Sequence, residues 1–121
     1  MYAELTDTFT LTVLRVGKGG NTDDGKYFYT FSPGVLMARR AGDINFVLGK
    51  DTSSGIRIFA VVDNSGGELG PYEILKEGLA ARVFDNMTRP ALINVAVVVT
   101  DDEADERRYI VCDPQVINVP D

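Results

Sequence analysis

The sequence predicts an all-β protein, an antiparallel β-sandwich of immunoglobulin-like character forming one domain over residues 1–121. Three observations carry that expectation. Apolar and polar residues alternate along most of the apolar segments, the segments are short and separated by glycine-rich or acidic turns, and helical spacing occurs in one place only. A small closed barrel is the alternative packing of the same strands. With 121 residues, 45% hydrophobic and 25% charged, the chain is long enough for one core, too short for two, and too apolar for disorder.

The elements follow in chain order. In TFTLTVLRV (residues 8–16), Phe9, Leu11 and Val13 fall on one side and Thr8, Thr10 and Thr12 on the other, which is a half-buried strand. GKGGNTDDGK (17–26) has the glycine and aspartate of a turn. The strands YFYTF (27–31) and VLMARR (35–40) flank a Ser32-Pro33-Gly34 turn. DINFVL (43–48) and IRIFAVV (56–62) read as further strands, and DNSGGELGP (63–71) as a loop. In YEILKEGLAARVF (72–84), Ile74, Leu75, Leu79 and Val83 recur at helical intervals. Gly78 weakens a helix, and two strands around a Lys76-Glu77-Gly78 turn fit the same segment. ALINVAVVV (91–99) is the strongest β signal; with the acidic turn TDDEADERR and YIVC (109–112) it forms a hairpin. Placing Thr100 opposite Arg107 sets Asp113 against Asn94.

The net charge of −6 leaves no basic surface of the extent a phosphate backbone requires, so nucleic acid is not expected as a partner. The doublets Arg39–Arg40 and Arg107–Arg108 read as solvated strand ends. No apolar run approaches the roughly 18 residues of a membrane span, and residues 1–7 carry acids where a secretion signal needs a basic start. The single Cys112 cannot form an internal disulfide, and a cytoplasmic location is expected. There is no histidine, which removes the usual triads and histidine-based zinc and copper sites and leaves carboxylate, lysine, tyrosine and backbone chemistry.

Most motifs have ordinary structural readings. The acids Asp101, Asp102, Glu103, Asp105 and Glu106 lack the spacing and the glycine of a calcium loop and read as a solvated hairpin tip; NTDDG (21–25) reads the same way, so no metal or cofactor is expected. The glycines of GKGG and NSGGELG lack phosphate-loop spacing. Tyr27, Tyr29 and Phe31 share a face that core packing claims before any stacking ligand, and Phe59 and Phe84 are expected in the core. Cys112, next to Val111 within a strand, is an inert thiol.

Asp113–Pro114 differs, because its chemistry needs no other residue type. An aspartyl carboxyl reaches its own backbone carbonyl through a five-membered ring, and the proline nitrogen is a leaving group that is easily protonated. The structural reading is a bend, since proline fixes its own φ and extends the residue before it.

The stretch YIVCDPQVINVPD (109–121), with FSPG and DINFVL earlier in the chain, resembles the small bacterial DP-EP family, named for an Asp-Pro motif near the C-terminus. Asp113–Pro114 is the sharp match, and Gln115 stands where an acid is expected after the proline. The resemblance implies a β-sandwich and, for part of the family, aspartic-peptidase-type scission of the chain's own Asp–Pro bond. In that picture Asp113 gives up its peptide bond and Pro114 becomes a new N-terminus. The lysine that can capture the aspartate as an isopeptide has no counterpart, because residues 77–121 contain none. The second carboxylate could be Asp7, Asp43, Glu73 or Asp85; Asp43, opening a strand after a glycine, is favoured.

Three functions are therefore expected candidates. The first is a self-cleaving aspartic-type peptidase using Asp113, Pro114 and Asp43. The second is a non-enzymatic module that meets a protein partner or a second copy through a sheet edge or the flat tyrosine face. A glycan-binding module, which would need Tyr27 and Tyr29 exposed, is the third.

Overall fold

The computed structural model describes residues 7–104 and 106–119, within which ten strands form two five-stranded sheets packed face to face. Residues 1–6, Asp105 of the acidic turn, and residues 120–121 of the tail lie outside the described residues. The first sheet holds, in spatial order, β2 (Tyr27–Ser32), β1 (Asp7–Arg15), β4 (Gly42–Leu48), β7 (Ala80–Asp85) and β6 (Glu73–Leu75). The second holds β3 (Val35–Ala38), β10 (Gln115–Asn118), β8 (Ala91–Asp101) and β5 (Ile56–Asp63), with β9 (Arg108–Cys112) also paired to β8. Among the described residues no helix is long and apolar enough to cross a membrane.

The core is the set of inward positions that alternation marks. Phe9, Leu11 and Val13 on β1, Ile44 and Phe46 on β4, and Ile93, Val95, Val97 and Val99 on β8 are all buried. Phe9 stacks on Phe46 at 5.4 Å and meets Phe31 edge-on at 5.7 Å. Tyr27 is buried and Tyr29 and Phe31 pack against the core, so these aromatics form no exposed stacking platform.

Four expectations are corrected. The sheets are mixed rather than antiparallel: β1 runs parallel to β4, and β10 parallel to β3. The cause is topological, since β3 leaves the first sheet for the second and the returning β4 then runs along the free edge of β1 in the same direction. Phe59 is 50% exposed because a bulge between Ile58 and Ala60 turns it outward, and Phe84 is 46% exposed because Val83 and Asp85 take the inward places on either side. The hairpin register is Thr100 opposite Tyr109, two residues from the expected pairing, a shift that keeps each side chain on its expected face. Asp101, read as part of a solvated tip, is fully buried.

The segment that fitted either a helix or a hairpin is a hairpin. β6 and β7 pair around a 3-10 turn at Lys76–Gly78, where Lys76, Glu77 and Gly78 all adopt positive φ. Alternating burial decided between two readings that the residue spacing alone allowed.

Asp101 joins the two sheets. From β8 it accepts bonds from Arg15 Nε (2.7 Å) and Nη2 (3.0 Å) on β1 and from the Tyr27 hydroxyl (2.6 Å) on β2. Burial alone would raise its carboxyl, but the bonds from Arg15, Tyr27 and the Glu103 N–H outweigh that and hold it at about 2. Burial and the same carboxylate push the Tyr27 phenol up to about 12, so it remains a donor.

A carboxyl held lower in the folded chain than in the unfolded one stabilises the fold above its unfolded pKa, and the stabilisation is lost as pH falls toward the folded value. Urea unfolding should therefore lose about 2 kcal/mol between pH 5 and pH 2 through this group. In Asp101→Asn that part of the acid sensitivity should vanish, and the variant should be less stable at pH 7 by roughly 3 kcal/mol. Equal acid sensitivity in the two proteins would refute the clamp.

Candidate functional site

Asp113 and Pro114 lie between two strands that pair with one partner in one register. Cys112 pairs with Val97 and Gln115 with Asn94, so Asp113 and Pro114 fall opposite Ala96 and Val95 and the hairpin continues through them. The Pro114 carbonyl accepts the Val95 N–H at 3.3 Å, while proline has no N–H to return, so the ladder loses a rung there. The junction thus joins β9 to β10 without changing their shared register, rather than turning the chain. Pro114 is buried and Asp113 is exposed on the outer face.

The peptidase constellation is not assembled around it. The Asp113 carboxylate makes no hydrogen bond or ion pair among the described residues, so no partner there holds it against its own carbonyl. Asp43 stands exposed on β4, opposite Phe84, in the other sheet, where its charge acts on Arg82. Glu73 pairs with Arg82 at 2.6 Å on that same sheet. The Cys112 thiol is buried, and burial, aided by the Asp113 charge, pushes it up to about 12, which leaves it inert.

The carboxylates that the fold does bring together are Asp85 and Glu68, both buried. Asn118 of β10 bridges them, its amide nitrogen donating to Asp85 Oδ1 at 2.9 Å and to Glu68 Oε1 at 3.4 Å. Glu68 is drawn down by the Thr88 hydroxyl and by the N–H groups of Thr88 and Arg89, and so ties down the loop after β7. Asp85 is driven up by burial, and its Oδ2, like Asn118 Oδ1, has no partner among the described residues. Sequence reasoning missed Asn118; the signal that could have found it is alternation along QVIN, which sets it on the same face as Val116. Among the described residues no group of three or more carboxylates or thiols is placed to hold a metal ion.

The outer faces of the two sheets differ in kind. On the first, Thr10, Thr30, Asp43, Asn45, Arg82 and Glu73 are interspersed with exposed Phe28, Val47 and Phe84, so polar and apolar side chains alternate over the surface. On the second, Val35, Met37, Phe59, Val62, Leu92, Tyr109 and Val111 stand between 45% and 59% exposed, with Ala60, Ala96 and Val98 half-buried between them. Phe59 meets Tyr109 edge-on at 5.1 Å across this face. One row of amides, Asn64, Asn94 and Gln115, crosses it, and its outward charges are Arg57, Asp113 and, just past β3, Arg39, whose guanidinium lies 3.4 Å from Met37 Sδ.

Compared with known proteins, the chain matches no family model and no curated protein.

Two measurements test the reading of these carboxylates. Purified protein held at neutral pH for days should keep a single intact mass, whereas a fragment beginning at Pro114 would show that the exposed Asp113 is catalytically poised after all. Asp85→Asn keeps an acceptor for Asn118 and Met87 and removes a charge that burial disfavours. Because the folded pKa of Asp85 is raised, its contribution is fully present below the unfolded value and lost as pH rises. Asp85→Asn should then be at least as stable as the parent at pH 8, with any advantage shrinking toward pH 4; a loss above about 1 kcal/mol at pH 8 would show that the ionised form is the one the fold needs.

Proposed function

We propose that the protein is a non-enzymatic interaction module that pairs with a second copy of itself through the outer face of its second sheet. The observation that carries this reading is the density of exposed apolar side chains on that face, seven between 45% and 59% exposed, against Phe28, Val47 and Phe84 dispersed among polar residues on the outer face of the first sheet. Four strands about 4.8 Å apart, crossed by the 11-residue β8, give a face of roughly 600 Å². Two such faces bury about 1,200 Å², within the range of specific contacts.

Three features favour a second copy as the occupant. The chain has a net charge of −6, yet this face carries only Arg39, Arg57 and Asp113 as outward charges, so two copies can approach here with little like-charge repulsion. Its amides are both donors and acceptors: Gln115 donates to Asn94 at 3.2 Å and the Asn64 carbonyl oxygen accepts the Asn94 N–H, which leaves amide N–H groups of Asn64 and Asn94 and the Gln115 oxygen directed to a partner. A two-fold contact satisfies such a row with its own copy. The edges are less suited to pairing: β3 has four residues, β6 has three, β5 is interrupted by its bulge, the Asn21 side chain occupies both the N–H and the carbonyl of Tyr29 on β2, and the Thr22 hydroxyl occupies the Val111 carbonyl on β9.

Sedimentation velocity between about 1 and 100 µM should show a reversible monomer–dimer equilibrium. Val111→Lys, which sets two lysines into the buried contact, should raise the dissociation constant at least about tenfold, while Thr10→Lys on the opposite sheet should leave it unchanged. Monomer throughout the range would overturn self-pairing and leave the face to a different protein. Equal effects of the two lysines would remove this face from the contact.

A further inference from the structure

Where the chain crosses between the sheets from β4 to β5, it opens a cleft of about 410 Å³. Val47, Ile56 and Leu79 give it an apolar wall, and three cations converge on it from separate elements: Lys50 from the connecting loop, Arg57 from β5, and Lys76 from the turn before β7. No carboxylate lines it.

The three cations share with Lys18, Lys26, Arg39 and Arg40 the lack of an ion pair among the described residues, and are set apart by facing one cleft. Arg15, Arg82, Arg89, Arg107 and Arg108 are in ion pairs; Lys50, Arg57 and Lys76 are in none among the described residues. The neighbouring acids are directed elsewhere: Asp51 and Glu77 are exposed and do not line the cleft, and Glu103 is engaged by the Ser54 hydroxyl at 3.0 Å.

Arg57 is held in place. Its guanidinium donates to the Ile56 carbonyl at 2.8 Å, and its stem lies over Gly78, where an added Cβ would come within 2.8 Å of Arg57 Cβ. Gly78 adopts φ +93°, so both its conformation and its lack of a side chain let the arginine pack there. A positioned guanidinium and two mobile ammonium groups against an apolar wall concentrate positive potential locally in a chain that is acidic as a whole.

We propose that this cleft binds a small organic anion, its carboxylate or phosphate group on Lys50, Arg57 and Lys76 and its hydrocarbon body on Val47 and Leu79. The volume falls in the lower part of the range of about 300–1,000 Å³ seen for small-molecule sites. An apolar wall without the cations would not select for charge, and the cations without the wall would not retain a ligand against solvent.

Amide-resolved NMR titration of the whole chain tests this with phenyl phosphate and phenylacetate as probes and benzyl alcohol as the uncharged control. Shifts confined to residues 47–57 and 76–79, with a dissociation constant of about 1 mM or tighter, are expected for at least one anion. The stronger of the two identifies the ligand's headgroup. Lys50→Gln/Lys76→Gln, at exposed positions away from the proposed dimer face, should weaken binding at least about fivefold, as should raising salt to about 0.5 M. Should that pair fail to fold, Lys50→Gln alone reads the same loss in smaller measure. No shift with either anion at about 5 mM, equal binding of benzyl alcohol, or affinity unchanged in the variant would overturn the assignment. Because Arg57 also borders the proposed dimer face, the titration is repeated on Val111→Lys, where the same shifts are expected whether or not the protein dimerises.

Discussion

The constraint on which the rest of the structure depends is that β8 is apolar on both of its faces. Ile93, Val95, Val97 and Val99 point into the core, while Leu92, Ala96 and Val98 point out. A strand of this length must pair along both edges, and it does: β5 runs along one, while β9 and β10 succeed each other along the other in a single register. The Asp–Pro pair is the point at which that second edge passes from β9 to β10, and the missing proline N–H costs one rung without displacing the ladder. The same property leaves an apolar outer surface, because no element among the described residues covers that side.

Ionic groups complete what hydrophobic burial leaves unspecified. Two stacked sheets with smooth aliphatic faces can slide, and Asp101 restricts this by binding Arg15 and Tyr27 across the layers. At the other end of the sandwich, Asn118 binds Asp85 and Glu68, which fixes β10 to β7 and to the loops that follow each sheet crossing. The two clusters have opposite protonation preferences. Asp101 has enough donors to stay ionised, whereas Asp85 has too few for its burial and is pushed toward the neutral acid.

Much of the fold was legible in the residues. Alternation in TFTLTVLRV and the apolar density of ALINVAVVV identify the central strands, and Lys76-Glu77-Gly78 marks a turn that the hairpin uses. The signal for the outer face was also present, since VAVVV and IFAVV have no polar residue at the outward positions a solvated sheet would give them. The chemistry of Asp–Pro is legible in the dipeptide, while its activation belongs to a surrounding site that a single segment does not describe. Phe59 was misplaced for a related reason: a bulge is a property of two paired strands and has no sign in one of them.

The sequence by itself determined an all-β chain, its strand positions and the inward side of each, because alternation is a local consequence of the pleat. Only the tertiary structure decided that β4 returns parallel to β1, that Asp43 and Asp113 stand in different sheets, that Glu68 meets Asp85, and that three cations share a cleft. Those juxtapositions depend on which strands cross between layers, and crossing is settled by the packing of the whole core rather than by any segment of the chain.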